Sequence, residues 1–461
     1  MDVEILARLQ FAFTVAFHYI YPPLSIGLGL LMVIMEGIYL RTGQKKYENL
    51  ARFYTKIFGL TFGIGVATGI VMEFEFGTNW AVYSKYVGDV FGSALAAEGI
   101  FAFAMESGFL GLLLFGWNRV KPWVHFFATV MVLIGSMFSA VWIVVANSWQ
   151  QTPTGFHVVG EGLNARAEIT DFWEMVFNPS SVDRLLHVWN GAFLAGAFLV
   201  LSISAYYILK GKHLKSSKSA FKIALVVAAF FSIVQAFSGH SSANVVAEHQ
   251  PAKLAALEGQ FEDSKNAEVY LVGWVDKENQ KTTGIAIPSL LHYLTGKEPG
   301  KDVIQGLNSF APDERPTALN AIFQFYHIMV GIGFLLIGLS LTALFYWYRG
   351  SLFQQRWLLK LFVFAVILPQ IANQFGWFSA EMGRQPWVVY GLLRTSDALS
   401  QAVTAEQVLF SIILFFVVYA FLFFLFVYLL NRKIQHGPSQ EGEELTYSDA
   451  PKRNLTPLLE K

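Results

Sequence analysis

The sequence contains no cysteine. That absence removes disulfides, thiolate metal sites, cysteine-ligated iron–sulfur clusters and covalent c-type haem attachment, and leaves noncovalent haem open. Charge is scarce: 14% of the 461 residues are charged, 54% are hydrophobic and the mean hydropathy is +0.45. A soluble domain of this size needs a more polar surface. The 33 basic and 33 acidic side chains cancel, so nothing in the charge balance points to nucleic acid. No internal repeat is visible, which counts against a transporter built from duplicated halves. What the chain has in quantity is aromatic: 43 Phe, 18 Tyr and 12 Trp. Such rings fill helix bundles and pack against flat apolar cofactors, and they also populate lipid-facing surfaces.

Apolar stretches recur at 11–39, 57–76, 91–116, 123–146, 187–209, 221–239, 321–346, 357–379 and 407–430. Each approaches the roughly 20 residues a spanning helix needs. The fold expected is therefore all-α, a polytopic membrane bundle of nine transmembrane helices. The first stretch is too long for a signal-peptide core and no small-residue cleavage site follows it, so it reads as a retained span. Alternate connections carry seventeen Lys and Arg, among them Arg41, Lys45, Lys46, Arg52, Lys56, Lys210, Lys212 and Lys215, whereas the opposite short loops carry five, at Lys85, Arg166, Arg184, Arg384 and Arg394. The positive-inside rule then places the N-terminus outside and the C-terminus in the cytoplasm. The chain divides into helices one to six (1–239), an outer segment (240–320) with eleven acidic and seven basic residues, helices seven to nine (321–430) and a cytoplasmic tail (431–461).

Ionisable side chains at membrane depth each need a partner, water or cofactor. His18, Glu98, His187, His327 and Met329 all fall near the outer surface; Glu381 and Arg384 are expected just past the outer end of the eighth span, and Glu106 lies deeper. Three histidines, a methionine and carboxylates without thiols suit haem iron better than zinc. The bland reading is a histidine bridging two helices and a methionine filling the core. Glu36, close to a helix end, is expected to reach water, and Glu73 and Glu75 are weak candidates. Glu98 and Glu106, eight residues apart, share broadly one side of their helix, the layout of a proton path. Composition and depth thus leave a membrane redox protein and an ion-coupled transporter both open.

The segment GWFSAEMGRQPW (376–387) closely resembles the signature of subunit 1 of cytochrome bd-type quinol oxidases. ARLQFAFTVAFHYIYPPLSIG (7–27), AAEGIFAFAMESGFLGLLLFGW (96–117), SAVWIVVANSWQQTPTG (139–155) and KLAALEGQF (253–261) are similar to further family segments. The resemblance implies a terminal quinol oxidase in the bacterial inner membrane. Quinol would be oxidised at the outer face and O2 reduced to water with protons from the cytoplasm, building a proton motive force without pumping. It implies His187 and Met329 as axial ligands of a low-spin haem b558. His18 and Glu381 would be ligands of the high-spin haems, with Glu98 as a further one. Those haems would be b595 and haem d, or a further haem b in place of haem d. Trp377 would lie between haems, Arg384 would meet a propionate or carboxylate, and Glu98 and Glu106 would serve the high-spin site and its protons. Lys253 and Glu258 would serve quinol oxidation. The implied partners are a second large membrane subunit and single-span small subunits. The chain departs from some members in carrying His327 two residues before the methionine, and its outer loop is of the short type, as in cyanide-insensitive relatives. The competing readings are an ion-coupled secondary transporter and a non-catalytic b-haem anchor.

Overall fold

The computed structural model describes residues 2–439. Among them nine helices are long and apolar enough to cross a membrane: Val3–Thr42, Lys45–Thr78, Gly88–Phe115, Pro122–Gln151, Ser181–Lys210, Leu214–His249, Leu319–Tyr348, Arg356–Arg384 and Ala405–His436. Hydropathy finds each of them but stops short at their ends, because polar turns still close i→i−4 hydrogen bonds. The sixth span continues beyond 239 to His249 and the seventh begins at Leu319, so the outer segment is shorter than the expected 240–320. Glu381 and Arg384 are not past the eighth helix but in its last turn, and His187 does not open the fifth but lies well inside it. Of the tail, 440–461 lies outside the described residues.

The first span is two rods, Val3–His18 and Tyr21–Thr42. Pro22 and Pro23 follow the break; lacking amide hydrogens, they cannot donate back to the carbonyls of His18 and Tyr19, so the helical ladder is interrupted there. His18 is thereby the last residue of its rod. The second rod crosses the fifth span at backbone contact: a Cβ on Gly27 would collide with Ala192 and Gly196, and one on Gly196 with Gly27. Small residues at such a crossing let two membrane helices approach closely.

The fifth to eighth spans form a ring in which each packs on the next and the eighth returns to the fifth. At one end of the bundle, where the Lys/Arg-rich loops lie, Leu28, Met32, Phe58, Phe198, Phe221 and Phe362 build the largest apolar core. At the other end a second core gathers Trp80, Tyr83, Val90, Trp142, Trp149 and Met175. The outer segment caps that second end with the short helix Pro251–Glu258 and an antiparallel hairpin, Val269–Asp276 paired with Lys281–Ile287. The ninth span leaves most of its apolar surface open, with Phe410, Phe416, Phe421 and Phe424 exposed.

Candidate functional site

Four elements converge on Glu381. Its Oε1 accepts from Asn147 Nδ2 at 3.1 Å and Gln151 Nε2 at 3.2 Å, two side chains four residues apart on the fourth span. Its Oε2 accepts from Arg384 Nη2 at 2.5 Å. Arg384, only 4% exposed, also donates Nε to the Trp387 carbonyl at 3.2 Å, yet its Nη1 is buried with no partner. Arg184, from the fifth span, donates to Asn147 Oδ1. Lys253 enters from the short helix: its Nζ donates to Gln151 Oε1 at 2.9 Å and Gln250 Oε1 at 3.2 Å. Burial, and then Arg184, hold the Lys253 ammonium well below its usual pKa, against the pull of Glu381. One carboxylate faces two guanidiniums and an amine here. An anion such as a propionate fits the excess of donors and the open guanidinium nitrogen.

The histidines expected to bind iron share one arrangement. The Thr68 hydroxyl gives its proton to the carbonyls of Ile64 and Gly65, each 3.0 Å away, so its oxygen accepts from His18 Nδ1 at 3.0 Å. The Ser238 hydroxyl donates to the Gln235 carbonyl at 3.1 Å and accepts from His187 Nδ1, also at 3.1 Å. In both rings these partners assign the proton to Nδ1 and the lone pair to Nε2, the state a metal ligand requires. Gln235 Nε2, 3.1 Å from His187 Nε2, points its donor at that lone pair.

Glycines make room around these rings and around Met329. A Cβ on Gly69 would lie 3.1 Å from His18 Cε1, and one on Gly376 would lie 2.7 Å from Met329 Sδ. His187 and Met329 sit on the fifth and seventh spans, which are opposite in the four-helix ring. Both amide atoms of Gln370 and the Oε1 of Gln374, on the eighth span, are buried without partners. Imidazole and thioether donors, glycine cradles and orphaned polar atoms together fit noncovalent haem. Trp377 packs its ring against Phe11 at 6.4 Å and Phe378 at 5.4 Å.

Glu98 and Glu106 both reach the fourth span. Ser139 donates to Glu98 at 2.5 Å, and Ser136 donates to Glu106. Their helix widens into a π-helical stretch at Glu98–Phe103, a distortion common at functional positions. Glu36 departs from expectation. It does not reach water but is 2% exposed, with Oε1 2.6 Å from His125 Nδ1 and Oε2 accepting from Thr129 at 2.7 Å. His125 Nε2 donates to the Leu113 carbonyl at 3.1 Å, so this ring is committed on both sides and offers no metal ligand. Glu75 is buried and accepts from Thr14 at 2.8 Å; the side chain of Glu73 lies outside the described residues.

Lys253 and Glu258, expected to act together, turn to different neighbours. Lys253 joins the Glu381 cluster. Glu258, 2% exposed, faces the Tyr326 hydroxyl on the seventh span, and its Oε2 is buried without a partner. Burial pushes the Glu258 carboxyl up to about 7, with the hydrogen bond from Tyr326 opposing it. Gly259, at φ +65°, ends the helix here; a Cβ would strike Thr282 and Val275 of the hairpin. A cavity of about 50 Å³ lined by Gln151, Thr152, Asp183, Arg184 and Gln250 adjoins the cluster. Reasoning from sequence missed Asn147, Gln151 and Arg184. The signal for the first two was a pair of amides at i, i+4 inside an apolar span; Arg184 was counted with a loop.

A nine-span bundle with two metal-ready histidines, a thioether and a buried carboxylate–guanidinium cluster is a membrane protein of the haem-binding redox class. The chain belongs to the cytochrome bd terminal oxidase subunit I family, whose model matches residues 6–438. It is an oxidoreductase subunit of a bacterial membrane complex that carries haem. It is 37% identical to the cytochrome bd-II ubiquinol oxidase subunit 1 of Escherichia coli K12, over 95% of this chain and 97% of that protein. It is 38% identical to the cytochrome bd ubiquinol oxidase subunit 1 of Bacillus subtilis 168, over 96% and 95%. The solved bd oxidase of Geobacillus thermodenitrificans matches with a TM-score of 0.87 at 30% identity, covering 95% of this chain and 99% of that one.

Proposed function

We propose that this chain oxidises quinol at the hairpin end of the bundle, which faces outward, and reduces O2 to water with protons drawn from the opposite, cytoplasmic side. The observation that carries the reading is the position of Lys253: the outer helix sets its amine beside Glu381, Arg384 and Arg184, so the substrate loop and the cofactor pocket are one polar assembly. The ubiquinol named for the E. coli and B. subtilis relatives supports quinol as the substrate.

His187 and Met329 would hold the low-spin haem b558 across the ring of spans five to eight. His18 and Glu381, with Glu98 beside them, would serve the high-spin haems, b595 and haem d or a further haem b. These residues would hold groups that supply one-electron transfer and a place for oxygen to bind. Arg384 and Arg184 would neutralise propionates, and Trp377 would fill the space between rings. Glu258 Oε2 would take a proton from the quinol hydroxyl, and Lys253, whose ammonium form is disfavoured by burial, would orient a quinone oxygen. Glu106 and Ser136 would pass protons up the third and fourth spans to Glu98 and Ser139. Quinol protons leave outside and oxygen protons enter from inside, so turnover is electrogenic without pumping. A second large subunit, with single-span subunits, would cover the open apolar faces.

The test is a reduced-minus-oxidised visible spectrum of the purified complex with pyridine haemochrome analysis, repeated for His187→Ala and Met329→Ala. Low-spin b-type bands that vanish in both variants are expected, and a red chlorin band would identify haem d. Low-spin bands that persist in either variant would overturn the ligand assignment.

A further inference from the structure

The short outer helix that ends at Glu258 packs against the sixth, seventh and eighth spans and, at Gly259, against the hairpin, and each of these elements carries polar or charged groups. Lys253, on its own helix, is spent on Gln151 and Gln250. Tyr270 of the hairpin donates its hydroxyl to Glu268 and to the Thr282 carbonyl. His327 of the seventh span turns Nδ1 to the Phe323 carbonyl at 2.9 Å. Glu248, at the end of the sixth span, is exposed, with His249 beside it, and Glu381 and Arg384 of the eighth are paired with each other. Tyr326 is the side chain that turns a donor on Glu258. Its ring packs against the apolar cluster to which Ala255, Ala256 and Leu257 of the same short helix belong.

We propose that Tyr326 is a positioning residue for quinol oxidation. Its hydroxyl donates to one oxygen of Glu258 and so presents the other, Oε2, to the quinol. This rests on the reading of Glu258 as the base. A carboxyl has two oxygens and a phenol one donor, so the bond fixes the plane of the group and leaves one buried oxygen without a partner, as found. In the step served, the quinol O–H breaks, its proton goes to Glu258 Oε2, and its electrons go to the oxidase's own acceptors. Tyr326 keeps its proton throughout. The bond also supports the ionised form of a carboxyl whose burial favours the neutral one. Phenylalanine at 326 would keep the ring and lose that support.

The experiment uses the assembled complex with a soluble ubiquinol analogue, following kcat/KM for oxygen uptake between pH 5.5 and 9.5 in wild type, Tyr326→Phe and Glu258→Gln. In wild type, activity should rise with pH through about 7, as the base loses its proton. In Tyr326→Phe this rise should move to higher pH by roughly one unit, a loss of about tenfold at pH 6 and almost none at pH 9, with the haem spectrum intact. Glu258→Gln should be inactive at every pH. A uniform loss in Tyr326→Phe, or an unmoved limb, overturns the role of Tyr326 while an inactive Glu258→Gln keeps the base. A fully active Glu258→Gln overturns the base and the proposal with it. If Tyr326→Phe does not assemble, 3-fluorotyrosine at 326 is a stronger donor of nearly the same shape. It should move the limb to lower pH, and an unmoved limb there also overturns the proposal.

Discussion

The same helices are built differently at their two ends. Toward the basic loops, spans one, two, five, six and eight meet through Leu28, Met32, Phe58, Phe198, Phe221 and Phe362, all fully buried. The buried ionisable pair there, Glu36 with His125, has its hydrogen bonds filled on both partners. Toward the hairpin, spans four, five and eight meet through Asn147, Gln151, Arg184, Glu381 and Arg384, and the atoms left without partners there include those of charged groups, Arg384 Nη1 and Glu258 Oε2, whereas at the basic end they are the hydroxyls of Ser204, Ser217 and Ser340. A filled network stabilises; a buried charged group left unfilled costs free energy and persists where something else completes it. The comparison separates a half that closes on itself from a half whose unfilled charged groups suit the proposed cofactor and substrate.

Substitutions at the two ends should therefore fail differently. Glu381→Ala strips the carboxylate from buried Arg384 and part-buried Arg184 and should cost about 3–5 kcal/mol. Thermal unfolding of the complex and its haem spectrum should both change. Phe198→Ala, at the other end, should cost a similar 3–5 kcal/mol through its cavity, yet the protein that survives should keep its haem bands and its turnover. Haem loss in that variant would blur the division. Glu106→Gln should slow oxygen reduction by roughly a hundredfold with the low-spin spectrum unchanged; loss of that spectrum would make Glu106 structural. Glu36→Gln should lower stability by about 1–3 kcal/mol with turnover retained. A slow enzyme with intact bands would move Glu36 into the proton route and break the contrast. Lys301→Ala, removing an exposed ion pair with Glu298, should leave melting temperature and activity unchanged.

The nine spans were legible because a bilayer imposes length and hydropathy on each helix. Their ends were not, since the last polar turns at His249 and Arg384 stay helical without being apolar. Glu98 and Glu106 were visible as carboxylates in an apolar run, but their serines were not: Ser136 and Ser139 are common residues whose role appears only when two helices are laid side by side. The protonated nitrogen of His18 and His187 follows from Thr68 and Ser238, about fifty residues away in each case, where no local pattern points. Glu36 misled because depth estimated from a helix end ignores what a neighbouring helix covers. Lys253 and Glu258 are paired by the family resemblance alone, yet five residues on a helix turn them to different faces.

The crossing at Gly27 and Gly196 bears on how this sequence can drift over evolutionary time. Neither position touches the candidate site, and neither carries a side chain that could perform chemistry. Each is nonetheless fixed by the other's backbone, so no single replacement is accommodated and a compensating change at the partner only adds bulk. A survey of all substitutions in this chain should find these two positions as intolerant as the iron-ligand candidates, for reasons of geometry alone.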